Sequence, residues 1–347
     1  MPMDSTQKEL LIRAEEQLAA MCVSEALKLF HQAEETGCDA DSCAAGRWTC
    51  YMLSGDFELA WRESDSIAAR GNPDPHRFWD SRPLDGRRVL IRCLHGLGDT
   101  IQFIRYAPLV RAKARHLTLE VQPTLKDLLT YSRLADEVIT WGEPEPAWDQ
   151  QIEVVELPRI FRTLPESVPN GVPYLHAPAA SLYRRRARAG LIRAGIVWNA
   201  SNYNPARAIP AEAIAKLLDV PGVEFYSLQA GLERFDLIGH APPIPQLFSE
   251  GECVLTTASL VRTLDLVVTV DTMMAHLAGA LGRPVWTLLP YQSDWRWMLN
   301  REDTPWYPTM RLIRQNQPGE WEPVISKVKS ELAACVDSVQ ILRQTAQ

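Results

Sequence analysis

An aspartate followed by a threonine stands at two places where an apolar run gives way to a helical one, Asp99-Thr100 and Asp271-Thr272. A carboxylate at such a point can take a proton. A hydroxyl beside the unpaired N–H groups of a helix start can hold an anion. In the first unit Val89–Leu94 reads as a buried strand, His95-Gly96-Leu97-Gly98 as a tight turn, and Asp99-Thr100 as the start of a helix. Gly96 and Gly98 let a backbone approach a ligand closely, and Asp99 projects a carboxylate at the mouth of a crevice. The same residues equally describe a plain strand-to-helix turn with Asp99 as its N-cap. The second unit is LDLVVTVDTMMAHLAGALGRPVWTLLP, ending at Pro290. An apolar run from Leu264 to Val270 stops at Asp271-Thr272, a short helix follows from Met273 to Leu281, and Gly282 and Pro284 precede a second run beginning at Val285. This is strand, turn, helix, strand, the pattern of a parallel sheet. Asp271 and Thr272 sit at the helix start, where open α/β folds bind nucleotides.

The elements that must hold these turns are legible around them. From residue 76 to about 180, strands at Val89–Leu94, Leu117–Val121, Glu137–Thr140 and Gln151–Glu156 alternate with helices at 99–115 and 124–132. A second alternation begins at Ala194. Its strands are Ala194–Trp198, Glu224–Leu228, Leu266–Val270 and Val285–Leu289, with helices at 210–219, 256–263 and 273–281. A long closing helix runs from Pro318 to about Arg343. Two alternations in series predict two doubly wound α/β domains facing each other. The basic run Arg184-Arg185-Arg186 with Arg188 lies between them, either as a solvated linker or as a phosphate patch.

Residues 5–70 are helical by spacing (Leu10, Leu11, Ala14, Leu18, then Ala26, Leu27, Phe30, Ala33). Trp48, Leu53, Gly55, Phe57 and Ala60 resemble one degenerate tetratricopeptide-type helix pair. Two such hairpins are too few for a free-standing solenoid, so a cap packed on the rest is expected. The boundaries expected are 1–75 for this helical region, 76–185 and 186–330 for the two α/β domains, and 331–347 for a C-terminal helix. Asp39-Ala40-Asp41 has a metal-binding spacing but no preceding strand, and reads as a solvated turn.

Bulk properties narrow the classes. The 347 residues carry a formal charge of −7, against nonspecific nucleic-acid binding. No apolar run reaches the roughly 20 residues of a membrane span. The polar start shows no secretory signal, so a cytoplasmic location is expected. Seven scattered cysteines without a C-x-x-C pair read as reduced thiols and not as a metal site. Eleven tryptophans, several near the C-terminus (Trp286, Trp295, Trp297, Trp306, Trp321), form either a packed aromatic face or a sugar-stacking surface.

GLGDTIQFIRYAP (Gly96–Pro108), GIVW (Gly195–Trp198), PGVEFYSLQAG (Pro221–Gly231), VDTMMAHLAGALGRPVWTLLP (Val270–Pro290), DWRWML (Asp294–Leu299) and DTPWYPTMRL (Asp303–Leu312) together carry a family likeness. Over roughly residues 75–335 the chain resembles bacterial tetratricopeptide-containing glycosyltransferases of the GT-B fold. These are related to the lipopolysaccharide heptosyltransferases of glycosyltransferase family 9 and, distantly, to the O-GlcNAc transferases.

The resemblance implies an inverting glycosyltransferase that moves a sugar from a nucleotide-sugar donor to an acceptor hydroxyl, without a metal or other cofactor. A helix N-terminus and side chains then neutralise the departing diphosphate. The Thr272 hydroxyl and the N–H groups of Met273 and Met274 would meet the phosphates. His276 would donate to a phosphate or the sugar, or else be a core histidine. Asp271 would hold the turn or touch sugar hydroxyls. Asp99 matches the family's general base. His95 stands where glutamine is expected and is an alternative base or acceptor contact. Arg207, in a loop shorter than usual, matches a cation that offsets diphosphate charge, or is a solvated arginine. Gln229 sits where relatives contact the nucleoside, or is a turn amide. Arg296 is a donor-side cation; of Trp295 and Trp297, one would pack and one face the cleft. The acceptor is a protein or peptide, a cell-surface glycan, or a small molecule; sugar, base and oligomeric state stay open. Two other classes compete: a GT-B scaffold that binds without turnover, and a sugar-nucleotide epimerase or hydrolase.

Overall fold

A computed structural model describes residues 5–71, 77–180, 191–200, 204–247, 251 and 253–344. Four helices come first: α1 (Ser5–Ala19), α2 (Val23–Glu35), α3 (Ala40–Ser54) and α4 (Phe57–Ala69). Each packs on the next, with the apolar spacing at Ala26, Leu29, Phe30 and Ala33 buried. The Asp39 carboxylate accepts the Ser42 N–H at 2.8 Å and caps α3, while Gly55 closes it at φ 86°, a conformation glycine adopts without a Cβ penalty. The expected solvated turn at Asp39–Asp41 is therefore a helix start, and Asp41 pairs with Arg70 on α4.

These helices are sealed onto the rest of the chain. The Trp61 indole N–H donates to the Thr163 carbonyl at 2.7 Å. Backbone Leu299 donates to Leu53, and Trp48 meets Trp295 edge-on at 5.3 Å. Phe57, Ala60 and Trp61 belong to the same apolar cluster that runs through both sheets.

The first sheet is built from β1 (Arg88–Arg92), α5 (Leu97–Phe103), α6 (Ala107–Arg111), β2 (His116–Val121), α7 (Lys126–Ser132), β3 (Glu137–Thr140), β4 (Gln150–Glu153) and α8 (Leu157–Ile160). The second is built from β5 (Ile192–Val197), α9 (Ala211–Leu217), β6 (Val223–Ser227), α10 (Val254–Val261), β7 (Leu266–Val270), α11 (Met273–Ala280), β8 (Val285–Leu289) and β9 (Met310–Arg314), with α12 (Trp321–Gln344) behind it. The orders are β3-β2-β1-β4 and β6-β5-β7-β8-β9, and every pairing is parallel. Parallel sheets are covered on both faces, which is why a run such as Leu266–Val270 is buried at all five positions.

Four expectations shift. The helix expected over 99–115 is broken into α5, a single 3-10 turn at 104–106 and α6. Pro108 stands in the first turn of α6, where it has no N–H to donate back. The strand expected over Gln151–Glu156 stops at Glu153. There the Glu153 and Glu156 carboxylates accept the N–H groups of Val155 and Glu153, at 2.6 and 3.0 Å, and turn the chain. Strand β9 was not expected, because its alternating MRLIR lacks the continuous apolar run of its neighbours. The closing helix begins at Trp321, three residues after the expected Pro318. The basic run at 184–188 lies outside the described residues. Among the described residues no helix is long and apolar enough to cross a membrane.

Candidate active site

Each sheet has one point where the strand order reverses: between β1 and β4 in the first, between β5 and β7 in the second. Crevices open there at the carboxyl ends of the strands. His95 and Asp99 follow β1, and Asp271 and Thr272 follow β7. The two reversal points face each other, and α5 packs directly on α11. Their closest approach explains Gly98. A Cβ there would lie 2.9 Å from His276 Cδ2 and 3.7 Å from the Met273 Cα, too close for any side chain.

On the first side, Asp99 projects from the third residue of α5. Its Oδ2 accepts the Gly96 N–H at 3.1 Å, and its Oδ1 meets the Arg296 guanidinium at 2.7 Å. The same guanidinium reaches Asp294 at 3.0 Å. Burial pulls Arg296 towards the neutral form, and Asp294, Asp99 and Asp271 more than offset it, so it is held charged. Thr100 points inward and donates to Gln122 Oε1 at 3.0 Å. His95 is partly exposed with Nε2 3.8 Å from Glu153 Oε1. Glu153 itself is fully buried, and burial pushes its carboxyl up to about 7 against the opposing N–H bonds from Val155 and Leu94.

On the second side, Thr272 is the N-cap of α11, its hydroxyl accepting the Met274 N–H at 3.3 Å. Asp271 is 2 % exposed, and burial raises its carboxyl while Arg207 opposes the shift. Arg207 donates to the Asp271 carbonyl at 3.2 Å and lies 3.4 Å from its carboxylate. Arg207 is thus a positioned cation held on Asp271. Gln229 is also spent on the backbone: its Oε1 accepts the N–H groups of Trp198 and Asn199 at 3.1 and 2.9 Å, and its Nε2 donates to Ala230. It ties the ends of β5 and β6 together, and so is a turn amide that also lines a cavity.

His276 is 3 % exposed. Its Nδ1 lies 2.9 Å from the Tyr307 hydroxyl, and Trp297 stacks on its ring at 5.3 Å. Trp297 is fully buried, while Trp295 lines a cavity, so the two indoles divide as their alternation suggests.

Two cavities flank the Gly98–His276 contact. One, of about 460 Å³, lies over the second sheet between Asn199, Gln229, Arg234 and Thr272–Met274. The other, of about 520 Å³, ends on Asp99, His95 and Arg296 and is walled by Trp48 and Trp61 of the helical region, with Trp295. Sequence reasoning missed Glu153, Arg105 and Tyr307, which are buried under the site. It also missed that the N-terminal helices wall it. The only signal for Arg105 and Glu153 was a charge inside an apolar run. Among the described residues no group of three His, Cys, Asp or Glu side chains is placed to hold a metal.

No protein-family model matches the sequence. Protein FlbA of Caulobacter vibrioides is 24% identical over 323 residues, which is 82% of this chain and 54% of that protein. The chain thus spans about half the length of that curated relative. An Escherichia coli ADP-heptose LPS heptosyltransferase II superposes with a TM-score of 0.49 at 13% identity, over 73% of this chain and 99% of that one. A glycosyl transferase family 9 structure from Veillonella parvula superposes with a TM-score of 0.57 at 12% identity, over 75% of this chain and 99% of that one. The fold of this chain is accordingly of the GT-B type, two facing halves each built on a parallel sheet, with four additional helices at the N-terminal side.

Proposed function

We propose that this protein is an inverting, metal-independent glycosyltransferase. One observation carries the reading: a cavity ending on the Asp99 carboxylate and a cavity ending on the capped helix start at Thr272 border the two helices that touch at the Gly98–His276 contact. The nucleotide of the donor occupies the cavity over the second sheet. Its diphosphate lies against the Thr272 hydroxyl and the Met273 and Met274 N–H groups, where the helix dipole favours negative charge. Arg207 and His276 support that charge. The acceptor enters past Trp48 and Trp61. Its oxygen attacks the anomeric carbon, Asp99 takes the hydroxyl proton, and the bond to the diphosphate breaks as the new one forms on the opposite face. The diphosphate leaves as an anion, and the configuration inverts.

In this structure the Asp99 carboxylate is engaged by Arg296 at 2.7 Å. The incoming diphosphate offers Arg296 a second anion, so donor binding frees Asp99 and precedes acceptor binding.

The test is a panel of nucleoside diphosphates and nucleotide sugars in thermal-shift and transfer assays, with and without EDTA. A ligand that binds the native state raises the melting temperature by mass action. The reading expects one nucleotide class to stabilise the protein with EDTA present, and to lose its effect in Thr272→Val. A silent panel sinks it. Sugar-nucleotide conversion at full rate without any acceptor would identify an epimerase or hydrolase instead.

A further inference from the structure

Beneath the diphosphate side of the site lies a buried group of polar side chains that the transfer chemistry does not use directly. Arg105 is 3 % exposed, and among the described residues no carboxylate pairs with it. Its N–H groups are spent on the carbonyls of Gln102 and Trp306 and on the Tyr174 hydroxyl. Its guanidinium lies over the rings of Tyr174 and Tyr307, 4.8 and 4.5 Å from their centroids. The Tyr174 hydroxyl proton goes to the Ile101 carbonyl at 2.8 Å. The Tyr307 hydroxyl is the atom 2.9 Å from His276 Nδ1.

We propose that Arg105 and Tyr307 are positioning residues that keep the proton of His276 on Nε2, so that the imidazole presents one fixed N–H donor to the diphosphate. The inference rests on the transferase reading for the identity of that anion. The argument is electrostatic. A cation without a counter-ion in a low-dielectric interior polarises the Tyr307 O–H and makes it a strong donor. The same cation disfavours a proton on the near nitrogen of the imidazole. The Tyr307 hydroxyl is also within hydrogen-bond reach of Tyr174, but that oxygen already accepts from Arg105, and a phenol oxygen is a poorer acceptor than an imidazole nitrogen. Tyr307 therefore donates to Nδ1, and the single proton of the neutral ring is left on Nε2. Burial and then the nearby cations Arg296, Arg105 and Arg207 hold the ring neutral. Its orientation is fixed from three sides: Tyr307 at Nδ1, Trp297 on its face, and the Cβ-free Gly98 against its Cδ2–Nε2 edge. Gly279 completes the seat, since a Cβ there would lie 2.5 Å from the Tyr307 ring.

The test uses the full chain labelled with 15N-histidine, with His276→Gln to assign the signals in long-range 1H–15N spectra at neutral pH, and inorganic pyrophosphate as probe. The free protein is expected to show a protonated Nε2 and a bare Nδ1, and pyrophosphate to move the Nε2 signal. Tyr307→Phe keeps the ring in its seat and removes only the hydroxyl. It is expected to give a mixture of tautomers and pyrophosphate binding weakened in proportion to the fraction of rings still protonated on Nε2, about twofold for equal populations. A wild-type protein with its proton on Nδ1 overturns the proposal whether or not the variant folds. So does an unchanged tautomer in Tyr307→Phe. Pyrophosphate that binds, is lost in Thr272→Val and yet leaves Nε2 unmoved also overturns it. Failure of every nucleotide and of pyrophosphate to bind overturns the transferase reading instead, and the tautomer of the free protein is decided without reference to it.

Discussion

The two Asp-Thr pairs are identical as dipeptides and opposite as structures. Asp99-Thr100 falls two residues inside its helix, and Asp271-Thr272 falls at the cap and the residue before it. Two or three residues rotate a helical position to another face. In the first pair the carboxylate looks into a cavity and the hydroxyl is buried on Gln122. In the second the carboxylate is buried on Arg207 and the hydroxyl looks into a cavity. A chain that needs a base on one side of a cleft and an anion seat on the other can build both from one dipeptide by changing where the helix begins.

Substitutions that are conservative in size can break this comparison. The largest effect is expected for Asp99→Asn. Turnover should fall by about 10²–10⁴-fold, the contribution of a general base, with nucleotide binding retained. Measurement of transfer rate against nucleotide affinity decides it, and loss of both together would mean that Asp99 only holds the turn.

Glu153, buried below the Asp99 turn, gives the next effect. Its carboxyl titrates near 7 in the folded protein and near 4.5 unfolded, so between those values the folded state holds more protons. Stability must then fall as pH rises from 4.5 through 7, by up to roughly 3 kcal/mol for such a displacement. Urea unfolding at pH 5 and pH 8 should show a component of this sign that Glu153→Gln lacks, whatever that variant does to the baseline.

Gly98→Ala pushes a methyl group into His276 and Met273 and should force the two halves apart, lowering transfer about tenfold. Gly171→Ala, at a glycine with open space around it and no left-handed backbone, should leave transfer unchanged.

The smallest pair is the most direct. Thr100→Val leaves the buried Gln122 Oε1 without its donor and should cost about 1–2 kcal/mol of stability with donor affinity unchanged. Thr272→Val should weaken donor binding, with only the stability loss of a missing helix cap, about 1 kcal/mol. Calorimetry on both variants tests the assignment, and equal effects would erase the distinction between the turns.

The alternation of apolar runs with helical spacing was enough to read two parallel α/β units and the strand ends that carry Asp99, Thr272 and His276. Local rules carry that much, because a strand buried on both faces must be continuously apolar and a helix must be capped. The break in the helix after Phe103 and the edge strand β9 were not legible in the same way. Pro108 marks a break, since a proline removes the i→i−4 hydrogen bond and clashes with the preceding turn, but it does not fix which residues form the 3-10 turn before it, and an alternating edge strand resembles a loop.

By itself, then, the sequence determined which residues lie at the ends of which strands, since that follows from periodicity and turn chemistry along a few neighbouring positions. Only the tertiary structure decided which face each side chain turns to. It brought Arg296 to Asp99, separated by 197 positions, and Tyr307 to His276. It also folded the N-terminal helices over the Asp99 cavity, with Trp48 and Trp61 as its wall. Those contacts are made across elements distant in the chain, where packing and charge, and no local preference, select the partner.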